Sequence, residues 1–160
     1  MATPSKKSFT PDEIRDKIRH FCAYQERSRL QVIRKLKSLQ CPEEHFSSML
    51  QMLTEGNYLN EQRFVAQYVR SRSASKGWGP AKIVQALQRE TGENYREEIR
   101  LDADSGSLAL QKLDKDLFKK RQELEKKKEP FLREKLLQFC LRRGFSPQVV
   151  SSLQSFRGLR

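Results

Sequence analysis

The chain has 160 residues, room for one ordinary domain or a string of small ones, and its 36% hydrophobic content and mean hydropathy of −0.80 argue against a large single core. Thirty-two Lys and Arg against twenty Asp and Glu leave a formal +12, which points to a polyanionic partner, nucleic acid first, and is silent on fold. The three scattered cysteines, Cys22, Cys41 and Cys140, do not make a disulfide framework, MATPSKKSFT lacks the apolar core of a signal peptide, and no apolar run reaches transmembrane length, so a soluble, cytoplasmic protein with reduced thiols is expected.

Residues 1–9 are expected to form a disordered tail. Thr10-Pro11-Asp12-Glu13 combines an N-cap, a proline at the first helical position and a glutamate three residues after the cap, opening a helix over 11–23 with Ile14, Ile18 and Phe21 on one face. A second capping box, Ser28 to Gln31, opens 29–40, and Pro42 precedes 43–54, where Phe46, Met49, Leu50 and Leu53 recur at helical spacing. Gly56 suits a left-handed stop. Asn60 caps 60–75, with Leu59 and Phe64 placed as a hydrophobic staple, and Pro80 starts 80–90. The next segment, 94–103, is the weakest, having only Tyr95, Ile99 and Leu101 to bury. KLDKDLFKKRQELEKKKE, within 108–127, mixes both charge signs around Leu113, Leu117, Phe118 and Leu124 and reads as a long, partly exposed helix laced by i,i+4 pairs. Pro130 starts 130–143, Gly144 stops it, and Ser146-Pro147 opens 147–157. No segment alternates as a half-buried strand would, so the fold class is all-α.

These helices fall into three groups of three. Val32-Ile33-x-x-Leu36, Ile83-Val84-x-x-Leu87 and Leu136-Leu137-x-x-Cys140 share one pattern, each in the middle helix of a group, with Leu36, Leu87 and Cys140 spaced 51 and 53 residues apart. Three tandem three-helix repeats are expected, at 10–58, 59–106 and 107–160, each too small to stand without its neighbour.

The charge is uneven. Residues 27–42, 62–89 and 135–160 contain no acid, and the whole positive excess lies in these three windows. Most charge runs are solvated helix faces, but those normally mix both signs; acid-free windows over the middle helix of each repeat suit successive phosphates instead. The richest is RSRSASKGWGPAKI, residues 70–83, where Arg70, Arg72, Lys76 and Lys82 surround a Gly-Trp-Gly-Pro kink. Trp78 there serves either as a wedge at a helix corner or as a stacking platform.

Little looks catalytic. His20 and Cys22 are two apart on a helix and diverge, while Cys41 and His45 are only two ligands, so no metal site is expected. Gly77-Trp78-Gly79 lacks the preceding strand and following lysine of a phosphate cradle, and no nucleophile has a base. The expectation is a non-enzyme without cofactor.

RF at 63–64, YVRSR at 68–72 and KGWGP at 76–80 with Ile83 and Leu87 resemble the signature of the RecX family, regulators of the bacterial RecA recombinase. YQERS at 24–28 and LRRGFS at 141–146 are similar to the family's first and last repeats, so the resemblance covers roughly residues 14–157. Trp78 stands where tyrosine is commoner, and Thr91-Gly92 replaces the usual turn into the third helix of the second unit. The resemblance implies an elongated, curved stack of three three-helix units that serves homologous recombination, DNA repair and the SOS response; a monomer is expected. It further implies binding in the groove of the RecA filament on single-stranded DNA, restraining extension, ATP hydrolysis and strand exchange, with double-stranded DNA as a second candidate partner. The residues expected to meet DNA and filament are Arg27, Arg34, Lys35, Arg70, Arg72, Lys76, Trp78, Lys82, Arg142 and Arg143. From a different class, a stand-alone helical DNA- or RNA-binding protein acting on transcription or nucleoid structure is the alternative.

Overall fold

The structure, a computed structural model, describes residues 9–96, 99, 103–153 and 156. Among them are eight α-helices, α1 (Pro11–Tyr24), α2 (Arg29–Ser38), α3 (Phe46–Glu55), α4 (Glu61–Lys76), α5 (Pro80–Thr91), α6 (Ala103–Lys126), α7 (Leu132–Arg142) and α8 (Pro147–Ser152), and no strand. Glu43–His45 form a single 3-10 turn before α3. The chain divides into two bodies, Met1–Gln67 with Glu90–Gly92, and Tyr68–Arg89 with Glu93–Arg160.

In the N-terminal body the expected caps are made. Thr10 accepts from the Glu13 N–H while Glu13 reaches back to the Thr10 N–H at 2.8 Å, and Ser28 and Gln31 form the same reciprocal pair at the head of α2. Each box satisfies two of the donors a helix start leaves open. Asn60 accepts from the Arg63 N–H at 2.9 Å, and Leu59 and Phe64 are both buried. The core is the apolar stripe of three short helices: Ile14, Ile18 and Cys22 of α1 against Val32 and Leu36 of α2 and Met49, Leu50 and Leu53 of α3. Arg63 ties the edges together, donating to the Glu26 carboxylate at 2.8 Å and to the Asn57 carbonyl at 2.8 Å. One stop differs from expectation. Gly56 has φ −76°, and the left-handed residue is Asn57 at φ 58°, whose short amide tolerates that region.

The second body is built on α6 and α7. Ala109, Leu113, Leu117 and Leu124 of α6 bury against Leu136 and Cys140 of α7, with Phe145, Val150, Leu153 and Phe156 closing the end. Phe118, read with the apolar set of α6, is 54% exposed, because the i,i+4 stripe through Leu113 and Leu117 already fills the seam. α6 carries the expected pairs, Lys112–Asp116, Arg121–Glu125 and Glu123–Lys127. It begins at Ala103, five residues before the expected start. Half of the segment expected as a helix over 94–103 falls outside the described residues; Asn94–Arg96 are not helical, and the Ile99 N–H donates to the Tyr95 carbonyl at 2.9 Å. Apart from Phe9, the expected tail likewise lies outside them.

The repeated apolar pattern has one physical meaning in all three places. Val32 and Leu36, Ile83 and Leu87, and Leu136 and Cys140 are each 0% exposed, whereas the intervening Ile33, Val84 and Leu137 are half-buried. An i,i+4 pair points into a core and its neighbour sits on the shoulder.

Candidate nucleic-acid interface

In the second body the Gly-Trp-Gly-Pro kink is held by α7's end. Gly77 closes α4, its N–H donating to the Ser73 carbonyl at 3.0 Å, and the Gly79 N–H donates to the Arg143 carbonyl at 2.7 Å. At the partner end, Gly144 follows α7 with φ +87°, its N–H bonded to the Leu141 carbonyl and that of Phe145 to the Cys140 carbonyl, a Schellman stop. The two turns touch through backbone. A Cβ on Gly79 would lie 2.5 Å from the Gly144 oxygen, and one on Gly144 would lie 2.4 Å from the Lys82 nitrogen. Neither position has space for a side chain.

This lock arranges four side chains from α4, the kink and α5. The Arg72 guanidinium lies 4.9 Å from the Tyr68 ring centroid and 5.5 Å from that of Trp78; the Lys82 ammonium is 4.8 Å from the same indole. Trp78 is half-buried, so its ring both fills the corner and meets solvent. An indole with two cations against it presents a π surface in a positive field, the combination that stacks bases next to phosphates. Beside it, Lys82, Arg96 and Arg142, with the amides of Gln85 and Gln88, line an open cleft of about 560 Å³, with no carboxylate on its walls among the described residues.

The other expected residues divide by surroundings. Arg70, Lys76 and Arg142 are exposed and have no acidic partner among the described residues. Arg143, the neighbour of Arg142, is occupied: it donates to the Asp116 carboxylate at 2.8 Å and to the Lys76 carbonyl at 2.9 Å, with 22% of its side chain exposed. In the N-terminal body Arg34 is exposed, while Arg27 lies 3.9 Å from the Phe21 ring and donates to the Phe21 carbonyl, and Lys35 lies 5.7 Å from the same ring. Tyr68 and Arg96 were missed by sequence reasoning. Tyr68 is four residues before Arg72 on one helix face, a signal that could have found it; Arg96 sits in a stretch whose local acidity hid it.

Nothing in the described residues gathers three or more His, Cys, Asp or Glu as a metal site would. All three cysteines are buried free thiols; burial pushes Cys22 and Cys140 up to about 11 and raises Cys41. Among the described residues no helix is long and apolar enough to cross a membrane.

A family model described as RecX, second three-helix domain, matches residues 60–90, the stretch that holds α4, the kink and α5. The chain is similar to the Regulatory protein RecX of Pseudomonas entomophila, 28% identical over 155 residues, covering 94% of this chain and 95% of that protein. It is also similar to that of Oceanobacillus iheyensis, 27% identical over 132 residues, 82% of this chain; here the chain spans about half the relative's length, 48%. Among solved structures, RecX from Lactobacillus salivarius superposes with a TM-score of 0.72 at 22% identity, over 86% of this chain and 90% of that one. That likeness establishes the fold.

Proposed function

We propose that the chain acts as a member of the RecX family and regulates the RecA recombinase, binding the RecA filament on single-stranded DNA and restraining its extension, ATP hydrolysis and strand exchange. In this reading the chain is three three-helix repeats, at 10–58, 59–106 and 107–160, working as a monomer in the cytoplasm. It does its work by binding, without catalysis of its own and without a cofactor.

The observation that carries the reading is the corner at residues 68–82, where Arg72, Trp78 and Lys82 form a cation-flanked π surface inside the stretch matched by the family model. A filament groove offers both DNA phosphates and acidic protein surface, and unpaired cations such as Arg70, Lys76 and Arg142 suit either. Arg34 and Lys35 add a further cationic row. Weak contacts of this kind add when one chain presents several of them, since each raises the effective concentration of the next. Arg143 contributes by holding the corner together.

Titration of RecA's DNA-dependent ATPase tests the reading. A regulator of the filament slows hydrolysis at well below one molecule per RecA protomer. A stand-alone DNA coat acts only when it saturates the strand, and that outcome would return the chain to the alternative class. Replacing Arg70, Arg72, Lys76 and Lys82 together by alanine, with helicity checked by circular dichroism, is expected to abolish the substoichiometric effect; undiminished filament binding would count against the residues named.

A further inference from the structure

α1 carries Lys17, Phe21 and Tyr24 at i, i+4 and i+7, which places them on one helix face. The cleft they border in the N-terminal body, about 620 Å³, is completed by Phe9 before α1, Arg27 after it and Lys35 on α2. Four features set it apart. Among the described residues its walls include no carboxylate. The acids of α1 are committed elsewhere: Asp12 to Arg15, Glu13 to Thr10 and Asp16 to Arg19. Each cation lies against a ring, Lys17 at 4.7 Å from Phe9, and Arg27 and Lys35 at 3.9 and 5.7 Å from Phe21. Tyr24, in the last turn of the helix, is 84% exposed and leaves its ring open.

Three cations with no acid attract an anion, and an acidic peptide would satisfy them equally. The exposed Tyr24 ring separates the candidates: an acidic peptide gives it nothing to do, a duplex hides its base faces, and a single strand offers a phosphate and a free π face from one nucleotide. We infer that this cleft holds a nucleotide of single-stranded nucleic acid, the base stacked on Tyr24 and the phosphate drawn by Lys17, Arg27 and Lys35. The cleft shares no lining residue with the corner at residues 68–82. Its biological setting rests on the reading of the chain as a ligand of a nucleoprotein filament, and its test requires no recombinase.

The experiment is anisotropy of a fluorescein-labelled oligo(dT) titrated with the full chain, run beside an abasic strand of the same length. Tyr24→Ala, a change at an exposed ring, is expected to weaken oligo(dT) binding by roughly fivefold to a hundredfold, the range of one lost base stack, and to leave the abasic strand unaffected. The double change Lys17→Gln with Lys35→Gln is expected to lower the salt slope on oligo(dT) by about 0.7, the share of one phosphate contact on a single strand. In a Trp78→Phe background, Tyr24→Trp gives a tryptophan whose emission is expected to fall when oligo(dT) binds. Unchanged affinity in Tyr24→Ala, equal binding of the abasic strand by the wild-type chain, or full displacement of oligo(dT) by polyglutamate at matched charge would each overturn the inference. Loss of RecA regulation with these results intact would sink the filament reading alone.

Discussion

Gly144 and Gly92 share a backbone conformation and differ in their surroundings, which makes a matched pair of substitutions informative. Gly144 has φ +87° and Gly92 φ +83°, so alanine at either pays the left-handed strain of about 1–2 kcal/mol. Around Gly92 no atom lies within 4 Å of an added Cβ. At Gly144 the new atom would sit 2.4 Å from the Lys82 nitrogen and 3.0 Å from its Cα, backbone that yields only by moving the start of α5. Overpacking of this kind costs a further ~1–3 kcal/mol. Gly92→Ala should therefore lose about 1–2 kcal/mol and Gly144→Ala about 2–5, against a total stability of order 5–15 kcal/mol. Urea unfolding read by circular dichroism measures both, and emission of Trp78, the single tryptophan, reports the corner itself. Equal losses for the two variants, within about 0.5 kcal/mol, would refute the claim that backbone contact between the two turns fixes the corner.

Adjacent arginines are expected to behave oppositely: Arg142→Ala leaves stability within about 0.5 kcal/mol and lowers the salt slope on single-stranded DNA by about 0.7, whereas Asp116→Asn, which strips Arg143 of its partner, costs about 1–3 kcal/mol in urea unfolding. Ser28→Ala removes a fully buried hydroxyl that caps α2 and donates to the Glu90 carbonyl at 2.6 Å; it is expected to cost about 1–3 kcal/mol, measured the same way. For the thiols, folded values of about 11 for Cys22 and Cys140 exceed the ordinary 9.0, so above pH 9 the unfolded chain loses protons first. Stability is therefore full below pH 9 and declines toward pH 11, and both thiols resist a disulfide reagent at pH 8 until denaturant is added.

Much of the fold was legible because its signals are local. Thr10 with Glu13, Ser28 with Gln31, and Ser146 before Pro147 name helix starts through bonds spanning three residues, and each is made as written. The i,i+4 apolar pairs are local too. The charge map was legible only in part, because an acid-free window in sequence is not acid-free in space. Asp116, from the mixed-charge helix, reaches Arg143; Glu26 reaches Arg63; Glu43 reaches Lys37. Those pairings depend on packing that no window shows. The cleft at Tyr24 was hidden for a related reason: Phe21 read as core and Phe9 as tail, and only their half-burial beside three cations gives them a second role.

The hydrogen bond from Gly79 to Arg143 joins the middle of the chain to a turn near its end. During synthesis the ribosome releases KGWGP long before RRGF, so a nascent chain paused between them exposes every residue of the motif while its geometry is still unmade. Competence at that corner thus arrives late, in one step, when the last helical hairpin emerges. A product truncated ahead of α7 would carry the cations yet lack the clamp that aims them.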